Sequence, residues 1–427
     1  MRINKISLIV LGLTTGALSC LAQSVESSAS VAPDSSFEEL PDLQASEILQ
    51  PAFLKGPHHT VRDSVSTGSG ANHFVIESEF GIFEADGNEM LVRRINEINA
   101  IAELKNVSRT DQFKSALVTA AKSPLVSAKN IVTDPVNTIS NVPKGVFKFM
   151  GRMGDQAKNV GKKTEGKDPE GKKLEQMVGY SDAKRKLAIK LGVDPYSTNP
   201  VLQKELNGIA WASFAGGFAF TAATFPVGGP AGLALAATGA SSSLNELVQN
   251  KSPADLKILN RQELSAMGAD GKDIDRFLNN NNLSPTVATA FVLNLKSLNG
   301  VANRTAFVRV AGETTSSEPD ALFCVLTSAL MSKIHGTDKP LERIATIGDF
   351  PVGIAKDGAV VLALQWDYAA WTSAAAACTS QIQDLAHQSG NKGVLVALSG
   401  QASPRLQQEL KSRGFTVQDR VSPGPLQ

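Results

Sequence analysis

Residues 206–245 read LNGIAWASFAGGFAFTAATFPVGGPAGLALAATGASSSLN and form the most apolar stretch of the chain. They carry no charged side chain and are rich in alanine and glycine. The FPVGGP sequence at residues 225–230 interrupts the stretch, because proline cannot donate to a helix ladder and paired glycines favour a turn. The sequence therefore predicts two apolar helical arms, an αα-hairpin on which the neighbouring segments pack.

The first arm has two different faces at helical spacing. Bulky rings share one stripe and small residues share the other: Trp211, Phe214, Phe218 and Phe225 on the first, and Ala212, Gly216, Ala219 and Ala223 on the second. Positions three and four apart lie on the same side of a helix. We therefore expect packed rings on one side and close backbone approach on the other.

Two environments suit this hairpin. It is either the buried core of a helical domain or a membrane-inserting hairpin over residues 208–241, whose first arm of about 18 residues is near the lower limit for crossing a bilayer. The glycines, serines and threonines in the stretch oppose insertion. The sequence favours the buried core.

The chain of 427 residues is long enough for two or three domains. We predict a multidomain α+β protein with a C-terminal α/β domain that contains a mixed sheet. The predicted parts are a signal peptide at 1–22, a disordered linker at 23–58, a β-hairpin with amphipathic helices and a basic segment at 59–178, a helical domain at 179–301 and the α/β domain at 302–427.

Alternation and capping residues place the individual elements. Strands are predicted at 61–66 and 74–83, and helices are predicted from Asp86-Gly87-Asn88, over 111–122 and from Asn199-Pro200. In the α/β domain the periodicity predicts strands at 306–310, 344–347, 352–354, 360–366, 394–398 and 415–419, with helices at 318–335, 370–388 and 404–412.

The N-terminus has the layout of a secretory signal peptide. Arg2 and Lys5 precede a short apolar run, and small residues lead to a cleavage site after Ala22. Lipidation at Cys20 is the alternative. We expect export to the periplasm or the exterior, where Cys324 and Cys378 either form one disulfide or stay as two buried thiols.

The formal net charge of the whole chain is only +1, but one segment of it is strongly basic. Residues 144–173 contain nine Lys or Arg against four acids, and proline-punctuated apolar residues precede them. The candidate binding residues are Lys144, Lys148, Arg152, Lys162, Lys163, Lys172 and Lys173. We therefore predict that residues 123–173 contact an anionic envelope or membrane component, the alternative being a solvated surface. Nucleic acid is not expected as a partner.

The chemical motifs of the common enzyme classes are missing from the sequence. It has no Walker loop, Rossmann fingerprint, Gly-x-Ser-x-Gly elbow or His-Glu-x-x-His helix, so we predict neither a cofactor nor a metal. Ligands of α/β sheets bind outside the carboxyl ends of the strands. Ser399 and Asp367 follow two predicted strands, and with His335 or His387 they are candidates for a hydrolase site.

Three phrases carry a resemblance: HFVIES at residues 73–78, DPV with PKGV at 134–136 and 143–146, and GVDPY at 192–196. Through them the chain resembles a group of exported bacterial proteins that have no assigned activity. The resemblance covers about residues 61–240 and implies export. The sequence as a whole predicts an exported, non-catalytic binding or envelope-associated protein, with a hydrolase or a membrane-inserting protein as alternatives.

Overall fold

A computed structural model describes residues 36–122, 169–220, 241–337, 339–390, 392–422 and 424–427. The predicted signal peptide, the proline-punctuated helices, most of the basic segment and most of the second apolar arm lie outside these ranges. Within them the protein belongs to the α+β class, as the sequence predicts, with a mixed sheet in the C-terminal region.

The helices of the described ranges, in chain order, are α1 (Ala45–Ile48), α2 (Pro51–Leu54), α3 (Asn88–Ser108), α4 (Asp111–Lys122), α5 (Pro169–Lys190), α6 (Pro200–Gly216), α7 (Ser241–Asn250), α8 (Pro253–Ala266), α9 (Gly271–Leu278), α10 (Pro285–Ser297), α11 (Ala306–Thr314), α12 (Glu318–His335), α13 (Ser373–Gln388) and α14 (Pro404–Ser412). The strands are β1 (Leu43–Gln44), β2 (Lys55–Gly56), β3 (His59–Val61), β4 (Ser64–Gly68), β5 (Ala71–Ser78), β6 (Gly81–Asp86), β7 (Leu341–Ile347), β8 (Phe350–Ala355), β9 (Val360–Leu364), β10 (Tyr368–Ala369), β11 (Val394–Leu398), β12 (Gln401–Ala402) and β13 (Phe415–Gln418).

The N-terminal sheet has the strand order β1-β4-β5-β3-β2, with β6 also paired to β5. Alternate residues of β5, Phe74 and Ile76, are fully buried, as a strand with one face on a core requires. Ser69 (φ 52°) and Gly70 (φ 84°) form the turn between β4 and β5. Positive φ at both positions is typical of the tight two-residue hairpin turn, so a hairpin is present within a larger sheet. The predicted strands at 61–66 and 74–83 are wrong as single strands, because the first range is divided between β3 and β4 and the second between β5 and β6.

The predicted disordered linker is wrong for its described part, residues 36–58. This part contains β1, α1, α2 and β2, and Ala45 and Leu49 in it are fully buried. Leu49 also forms a β-bridge with Leu426 near the other end of the chain. The polar composition that predicts disorder does not reveal these partners, because they lie far away in the sequence.

Helix α3 covers the N-terminal sheet with Leu91, Ile95 and Ile98, which are buried at the predicted spacing. Its charged residues are enclosed as well. Glu97 is only 3% exposed and forms a 2.7 Å ion pair with Arg94. The side of this helix that carries Glu97 therefore faces protein rather than water.

A second enclosed pair joins α3 to the loop before α6. Arg93 lies 3.3 Å from the carboxylate of Asp194, which also accepts a 2.8 Å hydrogen bond from the Thr286 hydroxyl on α10. Burial raises the pKa of Asp194, and Arg93 opposes that rise. Each of these polar groups is used to hold the loop at residues 194–199 in place, so we assign the cluster a positioning role.

The first apolar arm is α6, and it begins where the sequence predicts. The Asn199 side chain accepts hydrogen bonds from the backbone N–H groups of Val201 and Leu202, and Pro200 occupies the first turn. The helix ends at Gly216, earlier than the predicted break at Phe225. Gly217 follows in the left-handed conformation (φ 68°), which glycine adopts without strain and which stops a helix.

The small-residue face of α6 makes the predicted close approach. A Cβ atom on Gly216 would lie 2.1 Å from the backbone oxygen of Ala116 on α4. On the other side the ring of Trp211 lies 6.0 Å from Tyr180 and 6.1 Å from Phe214. Within the ranges that the structure describes, every helix is too short or too polar to span a bilayer.

The C-terminal sheet has the order β13-β11-β9-β8-β7. Its strands β13, β11 and β9 are parallel, whereas β8 and β7 are antiparallel to their neighbours, so the predicted mixed sheet is confirmed. The predicted strand at 306–310 is wrong, because these residues begin the helix α11. Phe307, Val308, Val310 and Ala311 form a short apolar run, which periodicity cannot assign to a strand or to a buried helix.

Two apolar clusters fill the interior of the described chain. One runs from the N-terminal sheet through the helices and across the predicted boundary at residue 302, where it includes Leu298, Val301 and Phe307. The second lies on the other face of the C-terminal sheet and includes Trp371 and Phe415. The α/β domain thus has a core of its own but shares α11 and α12 with the helical part.

Cys324 and Cys378 are separate thiols, so the predicted disulfide is wrong. The alternative of two buried thiols is correct for Cys324, whereas Cys378 is half-buried. Cys324 is 4% exposed and belongs to the first cluster, whereas Cys378 packs against the second. Their helices, α12 and α13, lie on different layers. Burial raises the pKa of the Cys324 thiol to about 12.

We therefore expect the two thiols to react at very different rates. Iodoacetamide should label Cys378 in the folded full chain well before Cys324, because the thiolate is the nucleophile and burial suppresses it at Cys324. Peptide mapping by mass spectrometry measures both sites, with the guanidinium-unfolded chain as the control in which the rates converge. If the mass of the chain under non-reducing conditions were lower by two hydrogen atoms, the two cysteines would form a disulfide, which would contradict the structure.

Candidate functional site

The carboxyl ends of the parallel strands β9 and β11 bring two predicted residues together. Asp367 follows β9 and Ser399 follows β11 directly. The Ser399 hydroxyl donates a 2.8 Å hydrogen bond to the carbonyl of Trp366, next to Asp367. The expectation that these two residues share one edge of the sheet is therefore correct.

The Asp367 carboxylate is committed to the N-terminal sheet. Its Oδ2 accepts hydrogen bonds from the backbone N–H groups of Asn72 (2.9 Å) and Asn88 (3.0 Å), so it caps the first turn of α3 from a distant part of the chain. Burial raises the pKa of Asp367 to about 7, the two N–H donors oppose that rise, and the negative charge of Glu89 adds to it. This carboxyl group holds two sheets together.

Backbone contacts close the edge further. The Asp367 N–H donates to the Gly70 carbonyl at 2.7 Å, and a Cβ atom on Gly70 would lie 2.4 Å from the Trp366 ring. A Cβ atom on Gly400 would lie 2.0 Å from the carbonyl oxygen of Asp367. The hairpin tip between β4 and β5 thus covers the place where a substrate of Ser399 and Asp367 would have to lie.

The histidines of the predicted hydrolase site are placed elsewhere. His335 ends α12, and its Nδ1 accepts a 3.0 Å hydrogen bond from the Leu341 N–H. Burial, with a smaller effect of Lys356, lowers the pKa of His335. His387 is exposed in the last turn of α13. In the described chain neither histidine is hydrogen-bonded to Ser399 or Asp367, so the structure does not assemble the predicted triad.

A second group at this edge comes from the segment predicted to be disordered. Residues 36–38, here called the strap, lie against Trp371 in the loop between β10 and α13. The Glu38 N–H donates to the Trp371 carbonyl at 2.8 Å, and Glu38 Oε2 accepts from the Trp371 N–H and the Ser403 hydroxyl, both at 2.6 Å. Glu38 is not predicted as a site residue from the sequence, where the only local signal is the apolar Phe37 within a polar segment.

Two arginines frame the strap. Arg405 donates to the backbone carbonyl of Ser36, and Arg413 lies over the Trp371 ring, 4.6 Å from its centroid. The Phe37 side chain packs against the second apolar cluster. We call the set Trp371, Ser403 and Arg405 the carboxylate groove, because its donors converge on the strap and its Glu38 carboxylate.

The predicted basic binding residues are beyond structural description. Lys144, Lys148, Arg152, Lys162 and Lys163 lie outside the described residues, and of Lys172 and Lys173 only the backbone, in α5, is described. Among the described residues no cluster of His, Cys, Asp and Glu has the composition of a metal site.

Known proteins add no assignment to this geometry. Comparison of the chain with family models, with curated proteins and with solved structures finds no match. The resemblance to exported bacterial proteins therefore stays a prediction.

Proposed function

We propose that the protein is an exported, non-catalytic binding protein that attaches to an anionic component of the cell envelope through residues 123–173. The observation that carries this proposal is the excess of nine Lys or Arg over four acids in residues 144–173. Apolar residues such as Phe147, Phe149 and Met150 precede and accompany the lysines. A segment with both features inserts shallowly while its lysines contact anionic head groups.

The surroundings of the segment support an attachment role. The described chain reaches the segment from α4 and resumes in α5, whose first residues are the end of the segment, and both helices pack on α6. On the α5 side a Cβ atom on Gly179 would lie 2.4 Å from the Phe214 ring, and the Tyr180 hydroxyl donates a 2.8 Å hydrogen bond to Asn207. An attachment segment that is anchored at both ends transmits its binding to the whole protein.

The hydrogen bonds of the candidate catalytic side chains support a non-catalytic role. The Ser399 hydroxyl, Asp367 Oδ2 and His335 Nδ1 each form hydrogen bonds with backbone groups of loops or helix ends. A nucleophile and its base lie within hydrogen-bond reach of each other, and the described contacts of these three side chains include no such pair.

Liposome sedimentation tests the proposal. The full chain should co-sediment with vesicles that contain anionic lipid, and binding should fall as salt screens the charges. Changing Lys162, Lys163, Lys172 and Lys173 together to Gln should weaken it by well over tenfold, since each lysine near an anionic surface contributes about 1 kcal/mol.

The control removes the same charge elsewhere. Lys114, Lys204, Lys272 and Lys411 are exposed lysines of the described chain, and their change to Gln should leave vesicle binding intact. Equal losses in the two variants, or binding that ignores lipid charge and salt, would overturn the proposed attachment.

A further inference from the structure

The carboxylate groove has the properties of a ligand site that is already occupied. Its two donors to Glu38 are nearly buried, with Trp371 4% and Ser403 1% exposed. With the strap in place, the Trp371 N–H and the Ser403 hydroxyl both donate to Glu38 Oε2 at 2.6 Å. An anionic acceptor suits the groove best, because charge-assisted hydrogen bonds are the stronger kind.

The groove also lies where α/β sheets bind ligands. The loops that follow β9 and β11 pair through β10 and β12, and the groove residues come directly after these short strands. Such positions, outside the carboxyl ends of parallel strands, are the usual ligand sites of this architecture. The hairpin tip covers Ser399 and Asp367 at one part of this edge. At the carboxylate groove the strap lies on the edge instead, and the groove contacts its Phe37 and Glu38 side chains.

Three features of the strap are recognised separately. Arg405 contacts the Ser36 carbonyl, the second apolar cluster receives the Phe37 ring, and the groove donors receive the Glu38 carboxylate. Each contact is one that a short extended peptide makes with a receptor. After the strap, residues 39–42 have no helix or strand before β1, so the strap is joined to the fold by a short irregular link.

We propose that the carboxylate groove is a binding site for peptides in which an aromatic residue precedes an acidic one, and that the strap occupies it as an internal ligand. The partner is an exposed segment of another protein with this Phe-Glu chemistry. It binds when it displaces the strap. Contacts among the described residues form this groove, and it is separate from the proposed envelope attachment through residues 123–173.

The test measures peptide binding to the full chain by fluorescence anisotropy. The probe is a labelled peptide of residues 33–41, PDSSFEELP. The double variant Phe37→Ala with Glu38→Ala vacates the groove and should bind the probe at least tenfold more tightly than the natural chain, whose strap competes at a high effective concentration. In that variant the probe PDSSFQELP should bind about tenfold more weakly, because the amide loses the charge-assisted hydrogen bonds.

A matched pair of variants separates groove loss from helix loss. Ser403 begins α14, and its Oγ accepts from the Leu406 N–H at 3.0 Å. In the vacated background, Ser403→Asp keeps a capping acceptor but removes the hydroxyl donor and repels a carboxylate, so probe binding should be lost. Ser284→Asp makes the same change at the start of α10 and should leave probe binding unchanged.

The outcomes are decisive in both directions. Probe binding that is no tighter in the vacated variant than in the natural chain, or that survives Ser403→Asp, would overturn the inference. If the double variant lost its cooperative thermal transition, Glu38→Gln alone would be compared in the same way. Dimers of the natural chain that the vacated variant lacks would show exchange of straps between copies, and would overturn a foreign partner.

Discussion

Replacing Gly216 by alanine is expected to lower the free energy of unfolding by about 3 kcal/mol, at the upper end of what overpacking costs. The added Cβ would lie 2.1 Å from the Ala116 carbonyl oxygen and 2.7 Å from its carbon. Both atoms belong to the backbone of α4, so a side-chain rotation cannot relieve the contact. Helix propensity alone would favour alanine by about 1 kcal/mol, which makes the sign of the result informative.

Gly271→Ala is the control for this prediction. Gly271 begins α9, and a Cβ atom there would meet nothing within 4 Å. This substitution should leave the stability unchanged or raise it slightly. Urea unfolding followed by tryptophan fluorescence measures both variants, and a Gly216→Ala chain as stable as the natural one would disprove the close packing of α4 against α6.

Replacing Asp367 by asparagine is expected to remove a large pH dependence of stability. The pKa of Asp367 is raised from 3.8 to about 7 in the folded chain. A raised pKa means that the folded state holds the proton more tightly than the unfolded state does. The stabilisation is complete below about pH 4 and is lost as the pH rises towards 7. A shift of this size corresponds to roughly 4 kcal/mol.

The side-chain amide introduced by Asp367→Asn stays neutral, and its oxygen still accepts from the backbone N–H groups of Asn72 and Asn88. The stability of Asp367→Asn relative to the natural chain should therefore increase between about pH 4 and pH 8, as measured by urea unfolding at each pH. Asp384→Asn, at an exposed aspartate on α13, is the control and should show no such trend. A flat difference for Asp367→Asn would show that the carboxyl group is not buried as described.

Local signals in the sequence predict the helices that have strong caps. The bounds Glu318–His335, Pro404–Ser412 and Asp111–Lys122 agree with the predicted ranges. In the first two, a serine accepts a backbone hydrogen bond and a proline occupies the first turn. Such signals act within about four residues, so they are readable without knowledge of the fold.

The wrong predictions concern residues whose structure depends on contacts with residues far away in the sequence. Residues 306–310 are apolar enough for a strand or a helix, and packing against the helical cluster decides for α11. The candidate edge was identified because carboxyl ends of parallel strands meet there. The sequence does not predict that Gly70 covers this edge or that Glu38 lies on it. Contacts between residues so far apart, such as 38 and 403, leave no local pattern in the sequence.

The contact between the two ends of the described chain bears on when the protein can fold. The Gln50 side chain donates a 2.9 Å hydrogen bond to the carbonyl of Leu426, 376 positions away, beside the bridge between Leu49 and Leu426. Until residues 424–427 have been synthesised, the first sheet lacks this neighbour, and contacts of such long separation form late. The nascent chain can therefore complete the packing of its first sheet only after more than 370 further residues have been added.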